Sequence, residues 1–329
     1  MIGCGVISAI AHLPAYRDAP GVKIVALADP DAGRLRLLSD KFQVKKTHGD
    51  YHELLRDPDI EAVSVCVPTA FHHEVMLEAA ASGKHVLCEK PIARTTDEAN
   101  DMVAAQRKYG VQFYVGFPGR FARVIREVVK LVETGFINRP LEVNVRIAAP
   151  SPPKGSWYFQ RKLGGGALFD MGVHGVDLLS HNFGEGQVTS ASFECDGKSD
   201  VDIVANLSLD IGGEIKGRIE ADWTSKGYER SLSVKGPSGF MSADLMKSTV
   251  TISQPRVIMG KHTGQFTLLI DQRMSEFQRE VWEFVESVRN GKESPKLATG
   301  ADGLRDVRIV EEAYRNFPRQ KRNGTNDLQ

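Results

Sequence analysis

The chain has 329 residues, enough for about two domains of ordinary size. Lysine plus arginine number 42, and aspartate plus glutamate also number 42, so the formal net charge is zero. This balance argues against a nucleic-acid binder and against a polybasic membrane-surface protein. Hydrophobic residues make up 41% and charged residues 26%, as in globular proteins, and no apolar run approaches the ~18 residues of a membrane span.

The cysteines and the N-terminal stretch bear on the cell compartment. Cys4, Cys66, Cys88 and Cys195 form no C-x-x-C pair, which argues against a zinc ribbon and a thioredoxin-type motif. Three of the four lie in apolar, strand-like stretches, where reduced thiols are common. No basic-then-apolar secretory leader opens the sequence. We therefore expect a cytoplasmic protein with free thiols.

The first 118 residues alternate short apolar runs with amphipathic stretches. Helices are predicted over 72–82 and 96–109, each followed by a glycine that suits a helix C-terminus. Strand, helix, strand at this rhythm predicts βαβ units and a mainly parallel sheet. The predicted strands of this half are Val22 to Ala28, Ala62 to Val67, His85 to Cys88 and Val111 to Val115.

The second half, residues 119–329, has a different pattern. Apolar and polar residues alternate from Leu141 to Ala149 and again from Ile215 to Trp223, and this predicts an antiparallel sheet with one wet or ligand-facing side. A helix is predicted over 274–290. Whether this helix and the one near 300–316 pack back on the first half stays open. We expect an α/β protein whose second domain is α+β, with a large, mostly antiparallel open sheet.

A glycine-rich hexapeptide lies at the start of the chain. Residues 3–8, Gly-Cys-Gly-Val-Ile-Ser, fit G-x-G-x-x-G with serine in the last place. Gly3 permits the tight turn and Gly5 lets a pyrophosphate approach the backbone, while the small Ser8 lets the helix pack on the strand. The free N–H groups at Val6 and Ile7 would face the phosphates. The pattern predicts a Rossmann dinucleotide-binding loop, although an ordinary glycine turn has the same sequence.

The next predicted strand ends at Asp29, at the spacing expected for a ribose-binding carboxylate. A carboxylate there would accept hydrogen bonds from the ribose hydroxyls and repel a 2′-phosphate, so NAD is favoured over NADP. Arg34 is the counter-argument, since an arginine near this position can receive that phosphate. We interpret Arg34 as a solvated helix-face residue.

Only Met1 and Ile2 precede Gly3, whereas the first strand of a Rossmann fold has ~5–6 residues. We therefore expect further apolar residues upstream of Met1. A Val/Ile-rich run in frame before Met1 would fit this expectation.

Charged and turn residues follow two further strands. Glu89, Lys90 and Pro91 come directly after an apolar run, and Pro68-Thr69 ends the preceding strand. Open α/β sheets bind ligands beyond the carboxyl ends of their strands, so these residues are candidate ligand contacts. A surface turn with a rigid proline is the alternative interpretation. For His12, His72, His73 and His85 a structural role is favoured.

The segment from Gly164 to Asp177 holds a second candidate site. Asp170 and His174 are four residues apart, a spacing that puts them on one helix face. A histidine beside a carboxylate is a common general acid–base pair, although a surface ion pair or a buried structural histidine has the same spacing. Metal binding by Asp170, His174, Asp177 and His181 is an alternative that no Cys or H-E-x-x-H pattern supports. The aromatic run of Trp157, Tyr158 and Phe159 could stack on a sugar ring or fill the core.

Taken together, these motifs resemble the glucose–fructose oxidoreductase, inositol dehydrogenase and rhizopine-catabolism (Gfo/Idh/MocA) family. The resemblance covers about residues 1–180 by motif and the later strands more loosely. The matching segments are Gly3-Cys4-Gly5, Ala28-Asp29-Pro30, Pro68 with His72, the run from Gly83 to Pro91, Gly116-Phe117 with Arg120-Phe121, and Gly164-Gly165-Gly166 through Asp170, Gly172, His174 and Asp177.

The resemblance implies an NAD(P)-binding Rossmann domain, residues 1–118, and a substrate-binding and oligomerisation domain, residues 119–329. It implies hydride transfer between NAD, or NADP, and a hydroxyl-bearing carbon of a sugar, polyol or sugar derivative. It also implies a homodimer or homotetramer formed through the C-terminal sheet. From the charge balance and the motif patterns, we expect no nucleic-acid, membrane or metal partner.

By position, the resemblance also assigns site residues. Lys90 would hydrogen-bond the reacting hydroxyl, His174 would be the acid–base, Asp170 would orient substrate and tune His174, and the bond before Pro91 would be cis. Apart from these assignments, we expect Arg120 and Trp157 to contact substrate together with Asp170 and His174. The implied cofactor contacts are Gly3, Gly5, Val6, Ile7, Asp29, Pro68, Thr69, His72, Glu89 and Lys90.

Two rival functions stay open within this resemblance. One is an NAD-dependent glycosidase that oxidises its sugar transiently. The other is a non-catalytic sugar-sensing regulator, which the presence of Lys90, Asp170 and His174 disfavours. Reduction of a non-sugar carbonyl is a third possibility.

Overall fold

The computed structural model describes residues 1–254, 264–270, 274–317 and 320–321. The α-helices are α1 Leu13–Asp18, α2 Ala32–Phe42, α3 Tyr51–Leu55, α4 His72–Ala81, α5 Thr96–Tyr109, α6 Arg123–Glu133, α7 Val173–Phe183, α8 Glu276–Asn290 and α9 Gly300–Asn316. The strands are β1 Ala26–Ala28, β2 Lys46–His48, β3 Ala62–Val65, β4 His85–Glu89, β5 Phe113–Gly116, β6 Leu141–Pro150, β7 Gln187–Cys195, β8 Asp202–Ile211, β9 Ile215–Asp222, β10 Thr224–Gly236, β11 Gly239–Asp244, β12 Thr249–Gln254, β13 Gly264–Leu269, β14 Ala298–Thr299 and β15 Gln320–Lys321. Over the described residues, no helix is long and apolar enough to cross a membrane.

Contacts divide the described chain into two compact units. The first comprises Met1–Phe121 and Met274–Val307, and the second comprises the described parts of Ala122–Arg273 and Arg308–Gln329. This division differs from the ranges 1–118 and 119–329 by including α8 in the first unit. Val281 and Phe284 of α8 are buried there in a cluster with Leu87 and Tyr114 of the sheet, which explains the difference. The predicted ranges stay a prediction about independently folding domains.

The first unit contains the predicted parallel sheet, which Ile2 holds together. Ile2 forms parallel bridges with Ala28 of β1 and Val65 of β3, so it joins the pair β1–β2 to the strands β3, β4 and β5. The strand order is therefore β2-β1-Ile2-β3-β4-β5, with β14 antiparallel on β5. This is the order of a dinucleotide-binding fold, and it confirms the predicted class.

The strand predicted over residues 22–28 is shorter in the structure. Only Ala26–Ala28 is paired, whereas residues 22–25 line a cavity of about 470 Å³ together with residues 59–62 and Met1. A strand needs a hydrogen-bonding neighbour, and residues 22–25 have no strand partner within the described part of the chain. The expectation of further residues upstream of Met1 stays a prediction.

The second unit contains the predicted open sheet. Its nine strands run in the order β13-β12-β11-β10-β6-β9-β8-β7-β15, and all neighbours are antiparallel except β6–β9 and β7–β15. Helix α7 packs on β6 and β9, and α6 packs on β11 and β12. The predicted alternation is confirmed, since Ile215, Ile219 and Trp223 are buried on the helix-covered face. Gly175 permits the close approach of α7, because a Cβ there would lie 2.6 Å from Cγ2 of Ile219.

The buried carboxylate of Asp202 connects the start of the helical segment at Leu168 to the rest of this unit. Asp202 is fully buried and accepts hydrogen bonds from the Leu168 backbone N–H at 2.8 Å and from the Tyr314 hydroxyl at 2.6 Å. Burial raises the pKa of Asp202, although both bonds favour the carboxylate. A buried carboxylate needs such donors, because an unsatisfied one costs the full desolvation energy.

Replacing Tyr314 by phenylalanine tests the hydrogen bond between its hydroxyl and Asp202. Tyr314→Phe removes one donor from Asp202, and we expect the free energy of unfolding to fall by about 1–3 kcal/mol in urea titrations followed by circular dichroism. Tyr228→Phe is the matched control, because Tyr228 is 70% exposed. Equal stability of the two variants would contradict the structural role of this hydrogen bond.

Candidate functional site

The glycine hexapeptide forms a tight turn at the carboxyl edge of the first sheet. Gly3 has a φ of +89°, and a Cβ there would lie 2.4 Å from the carbonyl oxygen of Cys66, so only glycine fits. A Cβ on Gly5 would meet nothing within 4 Å. Packing therefore does not require a glycine at position 5, and the open space leaves the backbone accessible to a ligand. Ser8 donates to the Gly3 carbonyl at 2.6 Å and closes the turn.

The helix after this turn begins at Val6 and includes a π-helical stretch. Residues Ser8–His12 are π-helical and continue into α1, with the N–H of Leu13 bonded to the Ser8 carbonyl. Residue 5, directly before the helix, is glycine and has no side chain that could cap the first N–H groups. Uncapped N–H groups at a helix start attract anions. Val6 and Ile10, which are 75% and 68% exposed, add apolar surface beside these groups.

Asp29 lies directly after β1 and is only 7% exposed. One carboxylate oxygen accepts from the Cys4 backbone N–H at 2.7 Å, and the other accepts from the Asp31 backbone N–H at 2.8 Å. These bonds orient the glycine turn and hold the charge at the edge of the sheet. The Arg34 side chain is exposed, and its Nε lies 3.5 Å from an Asp31 carboxylate oxygen. This exposure agrees with the interpretation of Arg34 as a solvated residue.

Residues after β3 lie at the same edge. Thr69 is buried, and its hydroxyl oxygen has no hydrogen-bond partner among the described residues, which is unusual for a buried polar atom. His72 is also buried, and its ring nitrogens lie 2.8 Å from the Pro91 carbonyl and 2.9 Å from the Val67 carbonyl. Burial lowers the pKa of His72. Both ring nitrogens of His72 face carbonyls within the protein, so the structure shows no ring nitrogen directed at a cofactor. The expected cofactor contacts of His72 and of Pro68 stay predictions.

Strand β4 ends at Glu89, and Lys90 follows it. Lys90 is partly exposed, and the Lys90–Pro91 peptide bond is cis, as the resemblance implies. The Glu89 carboxylate is turned inward: Nε2 of His12 lies 2.8 Å from one oxygen, and the Lys90 backbone N–H donates to the other at 3.2 Å. The sequence does not indicate this pairing, because 77 residues separate the partners.

Arg120 lies elsewhere in the first unit. Its side chain is buried, donates to the Leu297 carbonyl at 3.2 Å and pairs with Asp302 at 3.3 Å. The guanidinium is thus engaged with the segment around β14 and α9. Its expected contact with substrate stays a prediction.

The second candidate site begins with another π-helical stretch. Residues Leu168–Gly172 are π-helical and continue into α7, so Asp170 and His174 lie on one continuous helix, as predicted. π-helical turns within helices are frequent at functional sites. Asp170 accepts a hydrogen bond from the indole N–H of Trp223 at 3.2 Å, and His174 is half-buried.

Trp223 also organises the aromatic run. Trp157 and Tyr158 stack with centroids 4.1 Å apart, and Tyr158 and Phe159 meet the Trp223 ring edge-on at 6.2 and 5.6 Å. The run is therefore tied to Asp170 through a single buried indole. Sequence reasoning did not assign this role to Trp223, whose only signal is its place in the strand alternation.

One group of metal-ligating side chains is close-packed in the part of the chain that the structure describes. It consists of His52, Glu74 and Glu78, whose ligand atoms lie within 4.8 Å of one another. This group includes none of the residues of the metal alternative at 170–181.

The first unit fits a nicotinamide dinucleotide. The accessible backbone at Gly5, the uncapped helix start, the oriented carboxylate of Asp29 and the orphaned Thr69 hydroxyl lie at the carboxyl edge of one parallel sheet, where such folds bind nucleotides. The fold and this edge define the class of NAD(P)-binding Rossmann oxidoreductases.

Comparison with known proteins identifies the family. The family described as "Oxidoreductase family, NAD-binding Rossmann fold" matches residues 1–117, and "GFO/IDH/MocA C-terminal domain" matches residues 125–242. The uncharacterized oxidoreductase YrbE of Bacillus subtilis is 30% identical over 96% of this chain and 93% of its own length. This chain belongs to the Gfo/Idh/MocA family of NAD(P)-dependent oxidoreductases, as its motifs predict.

Two further relatives bear on the fold and on the substrate. The myo-inositol 2-dehydrogenase of Thermotoga maritima is 28% identical over 92% of this chain and 91% of its own length. A crystal structure of KijD10, a 3-ketoreductase from Actinomadura kijaniata in complex with TDP-benzene and NADP, superposes with a TM-score of 0.87 over 98% of each chain, at 22% identity. The second likeness supports the two-part fold.

Two glycine substitutions separate folding from cofactor binding. Gly3→Ala places a Cβ against a backbone carbonyl at a positive φ, so we expect a loss of about 2 kcal/mol or more in the free energy of unfolding. Gly5→Ala has room for its methyl group, so stability should stay the same while NAD binding weakens about tenfold. Urea unfolding and calorimetric titration with NAD measure the two effects. Undiminished NAD affinity in Gly5→Ala would contradict the predicted site.

Proposed function

We propose that this protein is an NAD-dependent dehydrogenase that acts on a CH–OH group of a sugar or cyclic polyol. The observation that carries the proposal is the carboxyl edge of the first sheet, where the glycine turn, Asp29 and Lys90 follow parallel strands of one sheet. The Thermotoga relative, a myo-inositol 2-dehydrogenase, supports a polyol as substrate class. The expected homodimer or homotetramer, formed through the C-terminal sheet, is part of this proposal.

The first unit would hold the cofactor with its backbone and with Asp29. The N–H groups of Gly5, Val6 and Ile7 would bind the pyrophosphate, and Asp29 would accept from the adenosine ribose hydroxyls. The Thr69 hydroxyl supplies a further buried partner, and Glu89 stays a candidate contact. When bound, the nicotinamide supplies the two-electron oxidant or reductant.

The catalytic roles follow from charge and proton balance. Oxidation of an alcohol carbon requires its hydroxyl proton to leave, and neutral His174 can accept that proton near pH 7. The Lys90 ammonium stabilises the negative charge that develops on the oxygen. Asp170, oriented by the Trp223 indole, would hold a substrate hydroxyl and favour the protonated form of His174. Trp157 would offer an apolar face to the ring of the substrate.

Alanine variants test these roles. In Lys90→Ala and His174→Ala we expect kcat to fall by about 10²- to 10⁴-fold, with NAD affinity nearly unchanged, because each loses a group that acts on the reacting oxygen. NADH formation, measured with a panel of inositols, aldoses and nucleotide sugars, reports kcat and identifies the substrate. A glycosidase would instead release product without accumulating NADH.

His181→Ala is the matched control, because His181 is exposed on the same helix. Its activity should equal that of the wild type. An equal loss in His174→Ala and His181→Ala would favour the metal alternative, and wild-type turnover in Lys90→Ala would overturn the proposed mechanism.

Cofactor choice has its own test at Asp29. Asp29→Asn keeps an acceptor but removes the charge that repels a 2′-phosphate, so the preference for NAD over NADP should narrow about tenfold or more. Dissociation constants for both cofactors, measured by calorimetry, report this ratio. Asp40→Asn, on the exposed end of α2, is the control. A wild-type preference for NADP would contradict the assignment.

A further inference from the structure

Next to Lys90 is a buried pair of titratable groups that the proposed proton and hydride transfer does not use. The side chain of His12 is 0% exposed and that of Glu89 is 9% exposed, and the atoms that join them, Nε2 and Oε1, are 2.8 Å apart. Both residues belong to the first unit: His12 ends the π-helical stretch after the glycine turn, and Glu89 is the last residue of β4. Burying a carboxylate and an imidazole is costly, so this pair needs a physical reason.

The surroundings of the pair are shaped for a charged carboxylate. The second oxygen of Glu89 accepts the Lys90 backbone N–H at 3.2 Å. On the neighbouring strand, a Cβ on Gly116 would lie 3.3 Å from Oε1 of Glu89, so a glycine leaves the space that the carboxylate occupies. One carboxylate oxygen therefore accepts from a backbone N–H, and the other faces a ring nitrogen that donates when it carries the proton.

Charges around the pair favour the ionised form of Glu89. Burial by itself would raise the pKa of Glu89, but His12, Lys90 and His72 together hold it below its ordinary value. Burial would likewise lower the pKa of His12, but Cys66 and Glu89 beside the ring raise it well above its ordinary value. The titratable groups that face the pair are thus Cys66 after β3, His72 on α4 and Lys90 itself.

We propose that His12 and Glu89 are positioning residues for Lys90. The imidazole of His12 donates a hydrogen bond that holds Glu89 as a carboxylate, and the carboxylate fixes the Lys90 backbone and keeps the adjoining ammonium charged. This inference rests on the proposed function for its catalytic meaning, because a charged Lys90 stabilises a developing oxyanion and a neutral one does not. The electrostatic part of the proposal, that Glu89 and His12 keep the Lys90 ammonium charged, does not depend on the reaction.

The test measures the protonation of Lys90 directly in the protein without cofactor or substrate. Trace acetylation with acetic anhydride over a range of pH, followed by mass spectrometry of the peptide that contains Lys90, gives the pH at which the amine becomes reactive. Glu89→Gln removes the charge at constant shape, His12→Leu removes the donor, and His12→Gln retains an N–H donor. Lys108, which is exposed on α5, is the internal reference within every sample.

In Glu89→Gln and His12→Leu, we expect Lys90 to become reactive at a pH lower by about one unit, since an opposite charge nearby stabilises the ammonium. His12→Gln should stay close to the wild type, and Lys108 should not change in any variant. His73→Gln is the matched control, because Nε2 of His73 lies 3.3 Å from Asp101 in a more exposed pair of the same unit.

Two outcomes would overturn the proposal. An unchanged titration of Lys90 in Glu89→Gln would remove the electrostatic link, and equal shifts in His12→Gln and His12→Leu would remove the role of the hydrogen bond. If His12→Leu fails to fold, Glu89→Gln and His12→Gln decide the question alone. With a substrate at hand, the pH above which kcat falls should shift in the same direction as the pH at which Lys90 becomes reactive to acetic anhydride. Full activity of Lys90→Ala, together with the expected labelling shift, would overturn the proposed function and leave this inference standing.

Discussion

Four backbone hydrogen bonds made by residues 1–3 hold the sheet of the first unit together. The N–H groups of Ile2 and Gly3 donate to Ser64 and Ala28 at 2.9 and 2.8 Å, and the carbonyls of Met1 and Ile2 accept from Ala28 and Cys66 at 2.9 and 2.8 Å. Because this short ladder joins β1 to β3, it brings the glycine turn, Asp29 and the ends of β3 and β4 to one edge. Without it, these residues would belong to two separate sheets.

The charges at this edge are held by donors within the same unit. Asp29 is satisfied by two backbone N–H groups, and Glu89 by one backbone N–H and one imidazole. Hydrogen bonds of this kind replace those that a buried carboxylate would otherwise make to water. At Glu89 they also help to hold the pKa below its ordinary value. The edge therefore holds carboxylates in defined places, one beside the glycine turn and one next to Lys90.

The second unit uses the same principle at its own helix start. Asp202 accepts the Leu168 N–H and thereby holds the segment from which Asp170 and His174 project. Trp223 then links Asp170 to the aromatic run, so the orientation of the carboxylate depends on a buried ring. The helix is thus positioned by contacts with the sheet, while its own spacing only aligns the two candidate side chains.

Local sequence by itself determined the features that depend on neighbouring residues. The glycine turn follows from steric limits at Gly3, and α5 spans the predicted residues 96–109, with the Thr95 hydroxyl accepting the Glu98 N–H at its start. The alternation in β9 likewise predicted the buried face of the second sheet. The resemblance of the motifs then led to the correct family.

Only the tertiary structure decided which distant groups meet. Glu89 pairs with His12, Arg120 with Asp302 and Asp170 with Trp223, at separations of 77, 182 and 53 residues. It also decided that α8 packs on the first sheet and that β1 is short. The physical reason is that spacing along the chain sets the face of a helix or strand, whereas the partner of a buried charge is set by which elements pack together.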